Sequence, residues 1–356
     1  MTRKSVLAVL AGFSAAAALF GQTSPCIPAA QQAVPGFAGP AGGARRGRGP
    51  AAEPAPRNLL VTAIPGVVAE GAKWTKVWQA AGNSADGIIP DKDGNVLVAQ
   101  EDYDMVLKID ANGNTSVAVA NAKGIGSLSM DRQGRLYGAH RTERPGSTKP
   151  DRESIVNAIS LLAPDRKTIA DKWADGTTLT VRPNDLLADG HGGAYFTTGC
   201  LYYAGPKGVT VVADNLRTNG IAFSPDDRTL YVTNGNTLVA FDVQAPGVLA
   251  NRRDFAKLQA GSNGDGMSVD MEGRLYATSN LGVQVFDQTG RFLGVIPTPR
   301  GVISVAFAGP AKQVLYVVGS GAEDADGRPI REGPQQTAAT IYKLNVIAHG
   351  LPDRAK

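Results

Sequence analysis

The chain has 356 residues, 43 of them glycine and only two cysteine, with 36 Lys and Arg against 32 Asp and Glu. That length holds one large domain or two average ones, and glycine-rich, aromatic-poor composition suits many short strands joined by tight turns. Six basic residues (Arg3, Lys4, Arg45, Arg46, Arg48, Arg57) face only Glu53 within residues 1–57, a local net of +5 in a chain of net +4. The remainder is therefore near neutral, and the overall basicity gives no argument for a nucleic-acid partner.

Residues 1–25 read as a secretory signal peptide: a basic start at Arg3 and Lys4, an apolar run from Ser5 to Phe20, then small and polar residues. The expected location is periplasmic or secreted, with no membrane association beyond the export signal. Residues 26–57 are largely Pro, Ala, Gly and Arg and cannot bury enough apolar area to offset their ordering entropy; they read as a disordered tether. Cys26 lies on that tether, 174 residues from Cys200, and the expectation for Cys200 is a free, buried thiol.

From residue 58 to about 350 one phrase returns six times: an apolar stretch, an acidic or small turn, then a Leu-Tyr-like pair. It reads Asp91-Lys-Asp-Gly-Asn-Val-Leu97, Asp131-Arg-Gln-Gly-Arg-Leu-Tyr137, Asp189-Gly-His-Gly-Gly-Ala-Tyr195 and Pro225-Asp-Asp-Arg-Thr-Leu-Tyr231. It continues as Asp270-Met-Glu-Gly-Arg-Leu-Tyr276 and, more loosely, Gly309-Pro-Ala-Lys-Gln-Val-Leu-Tyr316. The intervals between anchors at 97, 136, 194, 230, 275 and 315 are 39, 58, 36, 45 and 40 residues. A strand-and-turn repeat near that length predicts an all-β, six-bladed β-propeller over residues 58–350. The only stretch resembling an amphipathic helix is Arg152–Leu162. The long interval contains the loop Thr142–Arg152, which with Ala322–Thr340 is the expected source of pocket shape.

Just before the inner apolar strand of each blade stands a small set of polar residues: Asp86, Asn184, Asn219 and Asp265, with Gly126 in the second blade and Ser304 near the place in the sixth. Taken singly, Asp86-Gly87, Asn219-Gly220 and Asp265-Gly266 are ordinary turn formers. Their shared register before an apolar strand predicts instead that they converge at one end of a central channel. Two carboxylates and two amides there form an oxygen-rich set suited to a hard divalent cation, calcium above all, with zinc, manganese or magnesium also accommodated. No His-Glu-x-x-His, Gly-x-Ser-x-Gly or phosphate-cradling glycine motif occurs. His140, at the end of Leu136-Tyr137-Gly138-Ala139-His140, has two readings of equal weight, a substrate contact at the channel mouth or a surface histidine.

The phrases Arg182-Pro-Asn184-Asp185, Asn219-Gly-Ile-Ala-Phe-Ser-Pro-Asp226 and Asp265-Gly-Met-Ser-Val-Asp270 resemble the senescence-marker-protein/gluconolactonase/luciferin-regenerating-enzyme family, over roughly residues 80–345. The resemblance implies a metal-dependent hydrolase opening a sugar lactone, a small-molecule substrate. Carried over position by position, it implies metal ligands Asp86, Asn219 and Asp265, with Asp265 as general base and Arg182 and Asn184 as substrate contacts. His140 is a further substrate-contact candidate. Asp86 stands where the family has Glu, and Thr198 where it has Asp. The alternative from a different class is a non-enzymatic exported propeller that binds a small ligand or protein partner.

Overall fold

The computed structural model describes residues 57–80, 85–143, 154–330 and 338–355. The signal peptide and all but the last residue of the tether lie outside these residues, as does most of the 142–152 loop. Six antiparallel sheets form the six expected blades. After β1 (Thr75–Gln79) the first blade comprises β2 (Ala85–Pro90), β3 (Val96–Gln100), β4 (Met105–Ile109) and β5 (Thr115–Val119). The second is β6 (Ile125–Met130), β7 (Leu136–His140), β8 (Ala158–Ala163) and β9 (Lys167–Ala170). The third has three strands, β10 (Leu186–Ala188), β11 (Ala194–Gly205) and β12 (Gly208–Thr218). The fourth is β13 (Ile221–Phe223), β14 (Thr229–Asn234), β15 (Thr237–Ala245) and β16 (Val248–Lys257). The fifth is β17 (Met267–Val269), β18 (Leu275–Ser279), β19 (Gly282–Phe286) and β20 (Phe292–Pro297). In the sixth, β21 (Val302–Ala308), β22 (Val314–Ser320) and β23 (Ala339–Asn345) are joined by β1, which pairs antiparallel with β23. The N-terminal strand thus completes the last blade and closes the ring.

The first strand of each blade is its innermost, and these six strands touch one another in a closed circle. The apolar cores lie between blades. One packs Ile88, Val98 and Ile341 between the first and sixth, another Leu187, Tyr195, Ile221 and Val232 between the third and fourth. Burying both faces of every blade in this way leaves no blade with a core of its own.

Four of the six phrases open on an Asp whose carboxylate orders the turn by accepting two backbone amides. Asp270 Oδ1 accepts from the backbone amides of Glu272 and Arg274 at 3.0 and 2.9 Å. Its Oδ2 accepts from Arg274 Nε at 2.6 Å and the Tyr276 hydroxyl at 2.8 Å. Asp131 repeats the pattern with Gln133, Arg135 and Tyr137. In the second and fifth blades Asp, Arg and Tyr stand together because the turn acid that orders the hairpin also satisfies a buried phenol and pairs a guanidinium. Tyr276→Phe is expected to cost about 1–2 kcal/mol, read as a lower urea midpoint at unchanged slope; an unchanged midpoint would refute this account.

Two expectations are corrected. The suspected helix at 152–162 is strand from Ala158 onward: Ala158–Ala163 is β8, paired with β7 along its length. Its alternate burial against neighbouring blades outweighs the local helix pattern. Cys200, 3% exposed, is disulfide-bonded and not a free thiol. The sequence's other cysteine, Cys26, lies outside the described residues.

Beyond β23 the chain runs beneath the propeller, at the end of the inner strands opposite the polar ring. Met130 and Ala355 exchange backbone hydrogen bonds, Met271 N donates to His349 O, and Arg354 Nη2 donates to Ser224 O at 2.5 Å. This tail therefore spans the second, fourth and fifth blades across the axis.

Candidate active site

Strand register shows which side chains share the ring. Asp265 N and Thr278 O pair at 3.2 Å, and Asn184 N and Thr197 O at 2.7 Å. In the first and second blades the same place falls in a β-bulge, at Asp86 and at Gly126. In the sixth blade it falls on Ile303, since Gly266 N donates to Ile303 O and the bulge lies between Val302 and Ser304. Ser304, expected near the ring, corresponds instead to the glycine that follows each acid. Those following glycines are not turn residues: Gly87, Gly220 and Gly266 all lack positive φ. They are small because neighbouring inner strands converge; a Cβ on Gly220 would lie 2.1 Å from the Asp265 carbonyl oxygen.

Asp86, Asn184, Asn219 and Asp265 meet at one end of the channel, each partly exposed to it. Asn184 Nδ2 donates to Asn219 Oδ1 at 2.8 Å, and a side-chain hydrogen bond links Asn219 to Asp265. Asp265 keeps partial exposure to the channel while protein surrounds it otherwise. Burial, and next the charge of Asp86, push its carboxyl up to about 8, against the smaller opposing pull of Arg141 and the Asn219 and Gly266 hydrogen bonds. Two acids so close, one of them this reluctant to ionise, form a donor set that an added cation would relieve. The oxygens of Asp86, Asn219 and Asp265 therefore fit a hard divalent ion. Among the described residues no group of three or more His, Cys, Asp or Glu is gathered for a metal, so this set depends on its amide.

Two residues at the site were not anticipated. Arg141, 3% exposed, donates from Nη2 to Asp86 Oδ2 at 2.5 Å, from Nε to Glu101 Oε2 at 2.9 Å, and from Nη1 to Asn184 Oδ1 at 3.3 Å. Glu101 in turn receives Arg182 Nη2, while Arg182 Nε donates to the Thr142 carbonyl at 2.7 Å. Arg182 thus reaches the ring through Glu101 and Arg141. His140 does not join: its Nδ1 donates to the Lys123 carbonyl at 2.7 Å, and burial depresses its pKa. The inward place belongs to the next residue, Arg141.

Beneath the ring sits a second tier. Thr233 Oγ1 accepts the Asn219 amide at 2.9 Å, Thr278 Oγ1 donates to the Gly266 carbonyl at 3.0 Å, and Thr197 Oγ1 donates to the Asn219 carbonyl. All three threonines are fully buried. Each stands two residues after the Tyr of its phrase, and only in the blades supplying Asn184, Asn219 and Asp265. That restricted Thr was the sequence signal available for this tier.

Comparison with known proteins agrees with the fold. The chain superimposes on the gluconolactonase XC5397 from Xanthomonas campestris with a TM-score of 0.62 at 24% identity, covering 82% of this chain and 94% of that one. A calcium-binding regucalcin from Agrobacterium tumefaciens gives 0.56 at 19% identity, covering 77% and 94%. Among curated relatives, pentonolactonase XacC from Haloferax volcanii is 31% identical over 191 residues, 48% of this chain and 65% of the relative. A gluconolactonase from Zymomonas mobilis is 28% identical over 170 residues, 39% of this chain and 48% of the relative. The chain thus spans less than two thirds of the length of these curated relatives. The family model for the SMP-30/gluconolactonase/LRE-like region matches residues 119–321, more than half of the sequence, and the chain belongs to that family.

Proposed function

We propose that this protein is an exported, metal-dependent lactonase acting on a small sugar lactone. The observation that carries the proposal is the hydrogen-bonded convergence of Asp86, Asn184, Asn219 and Asp265 at the channel mouth. Relatives named pentonolactonase, gluconolactonase and lactonohydrolase support the reaction class.

Asp86, Asn219 and Asp265 would hold the ion, calcium by preference for oxygen donors. Bound there, it supplies Lewis acidity to the lactone carbonyl and lowers the pKa of an attacking water. Asp265 would be the base that takes the proton from that water, its carboxylate kept ionised by the neighbouring ion. Asn184 and Arg182 offer the channel one amide and a guanidinium edge, suited to sugar hydroxyls. Asn184 is oriented by Arg141 on its oxygen and Asn219 on its nitrogen.

The test is a panel of aldonolactones followed by proton release, with and without chelator. Chelator-sensitive hydrolysis, restored by calcium or manganese, is the expected result. Metal uptake with no turnover of any lactone would replace the enzyme with a ligand-binding propeller.

A further inference from the structure

The ring has six places, and the second blade fills its own with a residue that has no side chain. Gly126 lies at a bulge between Ile125 and Ser127 with no positive φ, so the backbone does not require glycine there. Space does: a Cβ on Gly126 would lie 1.9 Å from Arg141 Nε and 2.1 Å from its Cζ. Arg141 follows β7, the second strand of the same blade, and lays its guanidinium over Gly126 into the gap.

We propose that Arg141 is a positioning residue that acts as a built-in cation of the ring, holding Asp86 in competition with a divalent ion. The inference rests on the metal-site reading above. Its grounds are geometric. Arg141 Nη2 contacts Asp86 Oδ2 at 2.5 Å and Glu101 Oε2 at 2.7 Å, at 3% side-chain exposure. Guanidinium stays charged at any accessible pH, so the ligand carboxylate is already paired before any ion arrives. A divalent ion must share Asp86 with that charge or displace it, and a fixed positive neighbour in a poorly solvated site weakens cation binding. The same fork holds Asn184 Oδ1 at 3.3 Å, tying the expected substrate contact to the state of Asp86. Arg141 thereby sets how tightly the site takes its ion.

Calcium and manganese titrations by calorimetry on the full chain test this. Arg141→Gln removes the charge and keeps a polar side chain; Gly126→Ala leaves the arginine intact and expels its guanidinium. Both are expected to bind the ion about tenfold tighter or more, while Arg141→Lys, which keeps the charge, stays near the parent. In a background of Asp86→Asn the gain should vanish. Damage to the fold would weaken binding, so the sign separates competition from disruption, and Gly126→Ala decides if Arg141→Gln does not fold. Equal or weaker affinity in the folded variants, with the parent still binding metal, overturns the role of Arg141 and leaves the metal site standing. Binding by none of the proteins overturns the metal site, and this competition with it.

Discussion

Replacing Asp265 by Asn is expected to lower lactone turnover by about 10²–10⁴-fold, the usual contribution of a general base. The substitution is nearly isosteric and keeps an oxygen toward Asn219, so the fold should survive. It also predicts a pH signature distinct from activity. The Asp265 carboxyl sits at about 8 in the cation-free protein, above its ordinary 3.8. The folded chain therefore retains a proton that the unfolded chain loses, and stability falls as pH rises from about 4 to about 8, by up to roughly 1.4 kcal/mol per pH unit. Below pH 4 both forms are protonated, so the slope vanishes and the stability stands at its full value. Urea unfolding in chelator at pH 5 and pH 8 should show this slope in the parent and not in Asp265→Asn. Identical slopes, or undiminished turnover in the variant, would remove Asp265 from its assigned role.

Asp185→Ala should be the most destabilising substitution near the site, costing about 3–5 kcal/mol. Asp185 is buried between the blades. Its Oδ1 accepts from the Ser127 hydroxyl at 2.8 Å and its own neighbour's amide, Leu186 N, at 3.0 Å; Oδ2 accepts Ile221 N at 3.2 Å. One carboxylate thus fastens the second, third and fourth blades together directly below Asn184. Alanine leaves two backbone amides and a hydroxyl without that acceptor, in a place water reaches poorly. Chemical denaturation gives the readout, and a loss below about 1 kcal/mol would show that the blades do not depend on this staple. Because Asn184 is the adjacent residue, weaker substrate affinity should accompany the loss.

Much of this molecule was legible in its residues. The six blades follow from the returning phrase, whose opening Asp orders the turn in four of the six and gathers Arg and Tyr as well in the second and fifth blades. Asp86, Asn184, Asn219 and Asp265 could be aligned because each precedes an inner apolar strand. Arg141 and Glu101 could not. Both follow the second strand of a blade; Arg141 lies over the gap that Gly126 leaves, and Glu101 joins by pairing with it, a relation between strands that no linear spacing records. His140 was one residue out because side chains alternate along a strand, and the inward place fell to Arg141, the next residue. The sixth place went to Ser304 instead of Ile303 through a similar bulge. Cys200 was misjudged because an export signal permits a disulfide that spacing along the chain does not reveal.

The segment beneath the propeller has a bearing on traffic. With Arg354 and Ala355 crossing the axis at the far side, held to Ser224 and Met130, a tunnel becomes a cul-de-sac. Whatever reaches the carboxylates then enters and leaves by the end of the channel at which they stand. On the proposed function, the opened, negatively charged acid would leave by the end at which it entered, so that entry and release share one opening.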